Sequence, residues 1–259
     1  YAFGSLMTQY FQEQAGLSVT PVSTDGSKAN IEFITTGDYQ LGLVQSDVMT
    51  YAWQGNRSFE SVGQIDSFRV IAGLYAEAVQ LVTMDPSIKS VADLKGKNVS
   101  IGAPGSGVYF NAVDILAAAG LTEADINAQY QSFGDSADAL KDGKIDAAFI
   151  VAGAPTAAIT ELCTTNNAYL VPIDGEIADK LFADSPFYTA YTIPAGTYAG
   201  QDADVVTATV KATLIVSASA AEDDVYALTK AIFENTAAIA AENGKGAELS
   251  IENATSGMT

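Results

Sequence analysis

Short runs of apolar residues alternating with helix-patterned stretches constrain this chain more than any other feature. The runs at 17–22, 41–44, 68–74, 79–83, 99–103, 145–151, 168–173 and 211–217 have strand length. Between them apolar residues recur at three- and four-residue spacing, first at Phe3, Leu6, Met7, Tyr10 and Phe11, where Gly16 stops the run. Strands alternating with helices build βαβ units, so two mostly parallel sheets flanked by helices are predicted. A helix at the very start is out of step with this alternation, so a strand is expected to precede Tyr1. The closing segment 222–242 reads as one long helix. A weak internal echo sets the segment 37–44 (GDYQLGLV) beside 143–150 (GKIDAAFI), which points to two similar α/β lobes.

Composition narrows the functions. The 259 residues include 31 acids, 12 bases, one Cys and no His, for a net charge of −19. No nucleic-acid partner is expected, because phosphate neutralisation needs Lys and Arg. Without His there is no Ser–His or Cys–His pair and no His metal site, and one Cys makes neither an internal disulfide nor a thiolate cage. No metal and no cofactor are expected. No apolar run is long enough to span a bilayer. No leader segment is recognisable, so the chain reads as mature, trimmed or never exported.

In open α/β sheets ligands sit beyond the carboxyl ends of strands, where helices begin. The residues there are Ser23, Thr24, Asp25, Gly26 and Ser27; Gln45, Ser46 and Asp47; Tyr75; Gly105, Ser106, Gly107, Val108 and Tyr109; and Gly153, Ala154 and Pro155. These turns offer hydroxyls, amides and backbone N–H groups but almost no cations. Gly105-Ser106-Gly107 stands out. Its glycines allow close backbone approach, and the following helix start carries unpaired donors and the positive end of a dipole. A carboxylate fits there without an arginine. The same three residues also suit a strand-to-helix turn that needs glycine for geometry alone. The other two hydroxyl-rich turns also read as helix caps. The two arginines, Arg57 and Arg69, fall in a polar loop and at a strand start, so recognition is expected to rest on hydroxyls and helix N-termini. Cys163 closes a helix and reads as packing.

Several segments together resemble the TAXI solute-binding proteins of TRAP transporters. They are Leu74-Tyr75-Ala76-Glu77, the stretch VADLKGK from Val91, Gly105-Ser106-Gly107, Gln45-Ser46-Asp47, IPAGTY from Ile193 and VYALTK from Val225. The match runs over the whole chain in order. The resemblance implies a bilobed periplasmic-binding-protein fold, type II-like, with two crossovers and a ligand cleft between lobes. On it, 1–85 with 191–259 would form lobe I and the inserted 86–190 lobe II. It implies a monomeric, non-enzymatic protein that closes by hinge rotation on a small organic-acid or amino-acid solute, such as glutamate, glutamine or 2-oxoglutarate. Delivery to the membrane subunits of a TRAP symporter follows, with a periplasmic location, or an extracellular and membrane-tethered one. It places the turns above, with Tyr1 as the tail of a preceding Gly-rich loop, around the solute, and it implies that the family's sequence extends past both ends. The competing readings are a two-lobed enzyme acting on a small anion and a small-molecule-sensing domain. The lack of a nucleophile–base set weighs against the first, and the lack of a helix-turn-helix or membrane span against the second.

Overall fold

The computed structural model of the chain describes residues 2–256. In chain order the elements are α1 (Ala2–Ala15), α2 (Ser27–Thr36), β1 (Leu41–Gln45), α3 (Ser46–Gln54), β2 (Phe68–Thr83), β3 (Asn98–Ser100), α4 (Val108–Ala118), β4 (Asn127–Gln129) and α5 (Phe133–Lys141). They continue with β5 (Ala147–Ala152), α6 (Ala157–Thr165), β6 (Tyr169–Val171), α7 (Gly175–Asp184), β7 (Thr189–Ile193), β8 (Val205–Ser217), α8 (Glu222–Phe233) and α9 (Thr236–Glu242). Two compact units result. Unit 1 runs to Ala76 and resumes at Lys211; unit 2 is Glu77–Val210. The chain therefore changes unit inside β2 and inside β8, whereas the sequence expectation put the changes at 85/86 and 190/191.

Unit 1 is built on β1, which pairs antiparallel with β8 in the register Leu43↔Leu214. The apolar stripe of α1 that the spacing predicts is the stripe that is buried: Phe3, Met7, Tyr10 and Phe11 pack with Leu74, Leu214, Leu228 and Ile232. Each such large side chain taken from water contributes about 1.5–3 kcal/mol before entropy is counted. Helix α3 starts on the residue after β1, which sets Gln45, Ser46 and Asp47 at a strand-to-helix junction.

Unit 2 has β5 as its central strand. β5 pairs in parallel with β3 and antiparallel with β2, opposing Phe149 to Leu81. β4 extends the sheet in parallel from β3, β6 pairs antiparallel with β2, and β7 antiparallel with β8. One apolar cluster, with Leu81, Val99, Ile115, Leu116, Phe149 and Ile173, packs the α4 and α7 side. A second, with Val82, Leu140, Ile150, Ile159 and Leu162, packs α5 and α6. Every residue of β5 up to Val151 is buried, as its unbroken apolar run requires.

Three expectations are corrected. The pairing is mixed, not mostly parallel, because the two long strands β2 and β8 run against their partners β5, β6, β1 and β7, while β3 pairs in parallel with β4 and β5. The strands also follow one path, β1-β8-β2-β5-β3-β4 with β6 on β2 and β7 on β8, rather than forming two sheets. The cause is length: β2 has 16 residues and β8 has 13, so each serves both units. The long C-terminal helix is two helices, broken at Glu234 and Asn235.

Candidate functional site

In unit 1 the structure brings two of the sequence-predicted turns together. The Gln45 N–H donates to Ser27 Oγ at 3.0 Å, and Asn30 Nδ2 reaches the Leu43 carbonyl at 2.7 Å. Thr24 Oγ1 donates to Asn30 Oδ1 at 2.7 Å and accepts the Gly26 N–H at 3.3 Å, so Thr24 shapes its own turn. Ser23 is exposed beside it. Ser46 Oγ accepts the Lys211 N–H at 3.3 Å, and Asp47 is wholly buried in the first turn of α3. Gln45 is buried, and its Oε1 has no hydrogen-bond partner among the described residues. Tyr75 is a core residue: its ring meets Phe3 edge-on at 4.9 Å, and the Lys245 ammonium lies 5.1 Å from its centroid. Tyr1 lies outside the described residues.

In unit 2 the Gly105-Ser106-Gly107 turn leads into α4. The Ser106 N–H closes the turn on the Ala103 carbonyl at 3.1 Å, and the Gly107 carbonyl takes the N–H groups of Phe110 and Asn111. The N–H groups of Gly107, Val108 and Tyr109 have no acceptor within the helix by construction. No acidic side chain sits in the first turn of α4 and none caps it, so the positive end of its dipole is uncompensated there. Ser106 is only 8% exposed, and its Oγ has no partner among the described residues. Two observations thus coincide at this helix head: orphan backbone donors and a buried hydroxyl with nothing to bond. The helix is fixed from behind. Val108, Ala112, Ile115 and Leu116 lie in the core, and Asn111 Nδ2 donates to Tyr188 Oη at 2.9 Å, which donates to Asp114 at 3.0 Å.

Gly102 was not singled out by the sequence reading, yet it makes the turn possible. At φ +92° it occupies the left-handed region, and a Cβ there would lie 2.6 Å from Val108 Cβ and 2.7 Å from Ser106 Oγ. A glycine inside the apolar run 99–103 is the signal that could have found it, since such glycines mark close approach. Tyr109, by contrast, has its hydroxyl committed. It donates to Glu123 at 3.0 Å, and Tyr130 donates to the other oxygen of the same carboxylate. Burial, then Glu123, raises the Tyr109 phenol, and the Glu123 bond pushes Tyr130 up to about 12.

The Gly153-Ala154-Pro155 turn, which contains a cis Ala154–Pro155 bond, is held by residues the sequence reading missed. Gln80 Nε2 donates to the Ala152 carbonyl at 3.1 Å and to Thr156 Oγ1 at 2.9 Å; Thr156 Oγ1 donates to the Gly153 carbonyl at 3.2 Å. Tyr198 Oη accepts the Thr156 N–H at 2.8 Å and donates to Gln80 Oε1. Gln80 and Tyr198 are both buried, and the bond between them is made away from water. Tyr198→Phe would strand two buried groups at once, and a loss of about 1–3 kcal/mol in urea unfolding is expected. A loss under about 0.5 kcal/mol would show that the network carries no weight.

Both arginines are engaged elsewhere. Arg57 lies over the Tyr51 ring at 4.7 Å, and Arg69 donates to the carbonyls of Asp66 and Phe68. Burial raises the Cys163 thiol, which therefore stays protonated at neutral pH. Among the described residues no group of three or more Asp, Glu, Cys or His side chains is placed to hold a metal, and no helix is long and apolar enough to cross a membrane.

An α/β chain that passes twice between two units, with polar turns at the heads of helices, has the architecture of periplasmic binding proteins. Solved structures bear this out as a fold. The alkanesulfonate-binding protein of Xanthomonas axonopodis pv. citri, bound to MOPS, matches with a TM-score of 0.56 at 19% identity, covering 94% of this chain and 75% of that one. An ancestral arginine-binding protein bound to arginine matches at 0.55 and 15%, covering 95% and 84%. PhnD1 of Prochlorococcus marinus (MIT 9301), in complex with methylphosphonate, matches at 0.58 and 14%, covering 88% and 76%. The chain belongs to the NMT1-like family, matched over residues 1–259.

Proposed function

We infer that this chain is an extracytoplasmic solute-binding protein that takes the anionic group of a small solute at the head of α4. The observation that carries this is the buried, partnerless Ser106 Oγ beside the orphan N–H groups of Gly107, Val108 and Tyr109. The proteins of similar fold support it. Their named ligands carry a sulfonate, a carboxylate or a phosphonate, each an acceptor group that such a turn suits. In unit 1 the same criterion favours Gln45, whose buried Oε1 offers an acceptor to a solute. Gly26, Ser27, Ser46, Asp47, Gly153 and Pro155 are proposed to shape these turns more than to touch the solute, since the bonds around them run to the protein itself. The lack of His and of a nucleophile–base set supports binding rather than catalysis. Delivery to membrane transporter subunits belongs to the same reading. The resemblance to the TAXI proteins supports a TRAP-type symporter and a carboxylate solute such as glutamate, glutamine or 2-oxoglutarate.

Native mass spectrometry of the purified protein identifies any solute it retains. Calorimetry with glutamate, glutamine, 2-oxoglutarate, methanesulfonate and methylphosphonate then compares the protein with Ser106→Ala. The variant should bind more weakly by about 0.5–1.5 kcal/mol. Its melting temperature should hold or rise slightly, because the substitution removes a buried group with no partner. Equal affinity in both proteins, or no binding to any of these anions, would overturn the assignment.

A further inference from the structure

The residue where the chain leaves unit 1 is fastened by a segment from the far end of the sequence. The Ala76 N–H donates to the Glu248 carboxylate at 2.8 Å, one residue before unit 2 begins. Three residues earlier on β2, the Gly73 N–H donates to the Ala254 carbonyl at 2.7 Å. Between these bonds the Tyr75 ring packs against Phe3 and lies near the Lys245 ammonium. The segment itself is anchored. Leu249 is buried in the unit 1 core, and Gly246 sits so close to α9 that a Cβ would come within 2.5 Å of the Ala240 nitrogen.

An ordinary strand gives its amides to a neighbouring strand. Here one amide of β2 goes to a charged side chain, and a bond to an ionised acceptor is the stronger kind. We propose that the segment 244–254 is a strap that sets the order of β2 at its exit from unit 1, so that loosening the strap loosens the strand on into unit 2. β2 is unbroken through this point, and Ala78 and Gln80, opposite Ala152 and Ile150, are the next residues to feel it. The inference stands apart from the solute reading and needs no ligand.

Hydrogen exchange resolved to single amides, on the full chain, tests it in Glu248→Ala and Glu248→Gln. In Glu248→Ala the Ala76 amide should exchange about tenfold faster or more, and the amides of Ala78 and Gln80 should follow by about threefold. Amides of β3 and α5 should not change. Glu248→Gln keeps an acceptor but loses the charge, so its Ala76 amide should exchange faster than in the unaltered protein by about threefold, less than in Glu248→Ala. Acceleration confined to Ala76 would reduce Glu248 to a local cap and overturn the proposal. So would unchanged exchange, or acceleration spread evenly through β3 and α5.

Discussion

Gly102→Ala is expected to lose about 3–5 kcal/mol of unfolding free energy and most of the affinity for an anionic solute. Two penalties add. The position holds φ at +92°, which a side chain adopts only with strain, and the new Cβ would meet Val108 Cβ at 2.6 Å and Ser106 Oγ at 2.7 Å. Val108 is packed in the core and does not yield cheaply, and Ser106 Oγ can yield only by turning away from the position it holds at the head of α4. A control separates the penalties. Gly120 has a similar φ of +75° but nothing within 4 Å of a Cβ, so Gly120→Ala should cost only the backbone strain, about 1 kcal/mol. Urea unfolding of the two variants reads the difference. Equal losses would show that the turn at Gly102 rearranges freely, and that the tight approach around Ser106 has no bearing on binding.

Phe149→Ala should be as damaging to stability while leaving the candidate turns chemically intact. Phe149 is 1% exposed on β5, opposite Leu81, inside the cluster that packs α4 and α7 against the sheet. Deleting its ring removes apolar contacts and leaves a cavity that close-packed neighbours fill only in part, at a cost of about 3–5 kcal/mol. Phe33, 37% exposed, gives the contrast: Phe33→Ala should cost under about 1 kcal/mol. A Phe149→Ala loss below about 1.5 kcal/mol would mean that the α4 side of the core collapses onto the gap.

What the sequence made legible follows from how local the cause is. Strand β1 was read to within a residue, and the helix start at Gln45-Ser46-Asp47 with it, because the apolar run at 41–44 and the polar residues after it sit side by side. The stop of α1 at Gly16 was equally local. The segments 68–74 and 79–83 read as two strands, since Ala76 and Glu77 interrupt the apolar run. They form one strand, and the half-exposed Ala76 is held by Glu248, far along the chain. The run 17–22 has strand composition yet stays outside the sheet; Leu17 and Val19 serve only to pack on the unit 1 core. Strand β4 was missed because it has three residues, none of them buried, and lacks an apolar run. In the candidate site, Gly105-Ser106-Gly107 announced itself by composition. Gln80, Thr156 and Tyr198 did not, because what makes them matter is their meeting across the fold. A glutamine within the otherwise apolar run 79–83 was the one hint available.

The pairing of β1 with β8 also decides the order in which the chain can become a protein. As the chain emerges, β1 comes before unit 2, but the strand that completes it, residues 212–216, comes only after unit 2. Unit 2 is contiguous from Glu77 to Val210 and has its whole core in hand before then. Emerging chains should therefore bury unit 2 first and hold α1, α2 and β1 uncommitted, with Phe3, Phe11 and Ile31 accessible to chaperones until the part of unit 1 that resumes at Lys211 arrives.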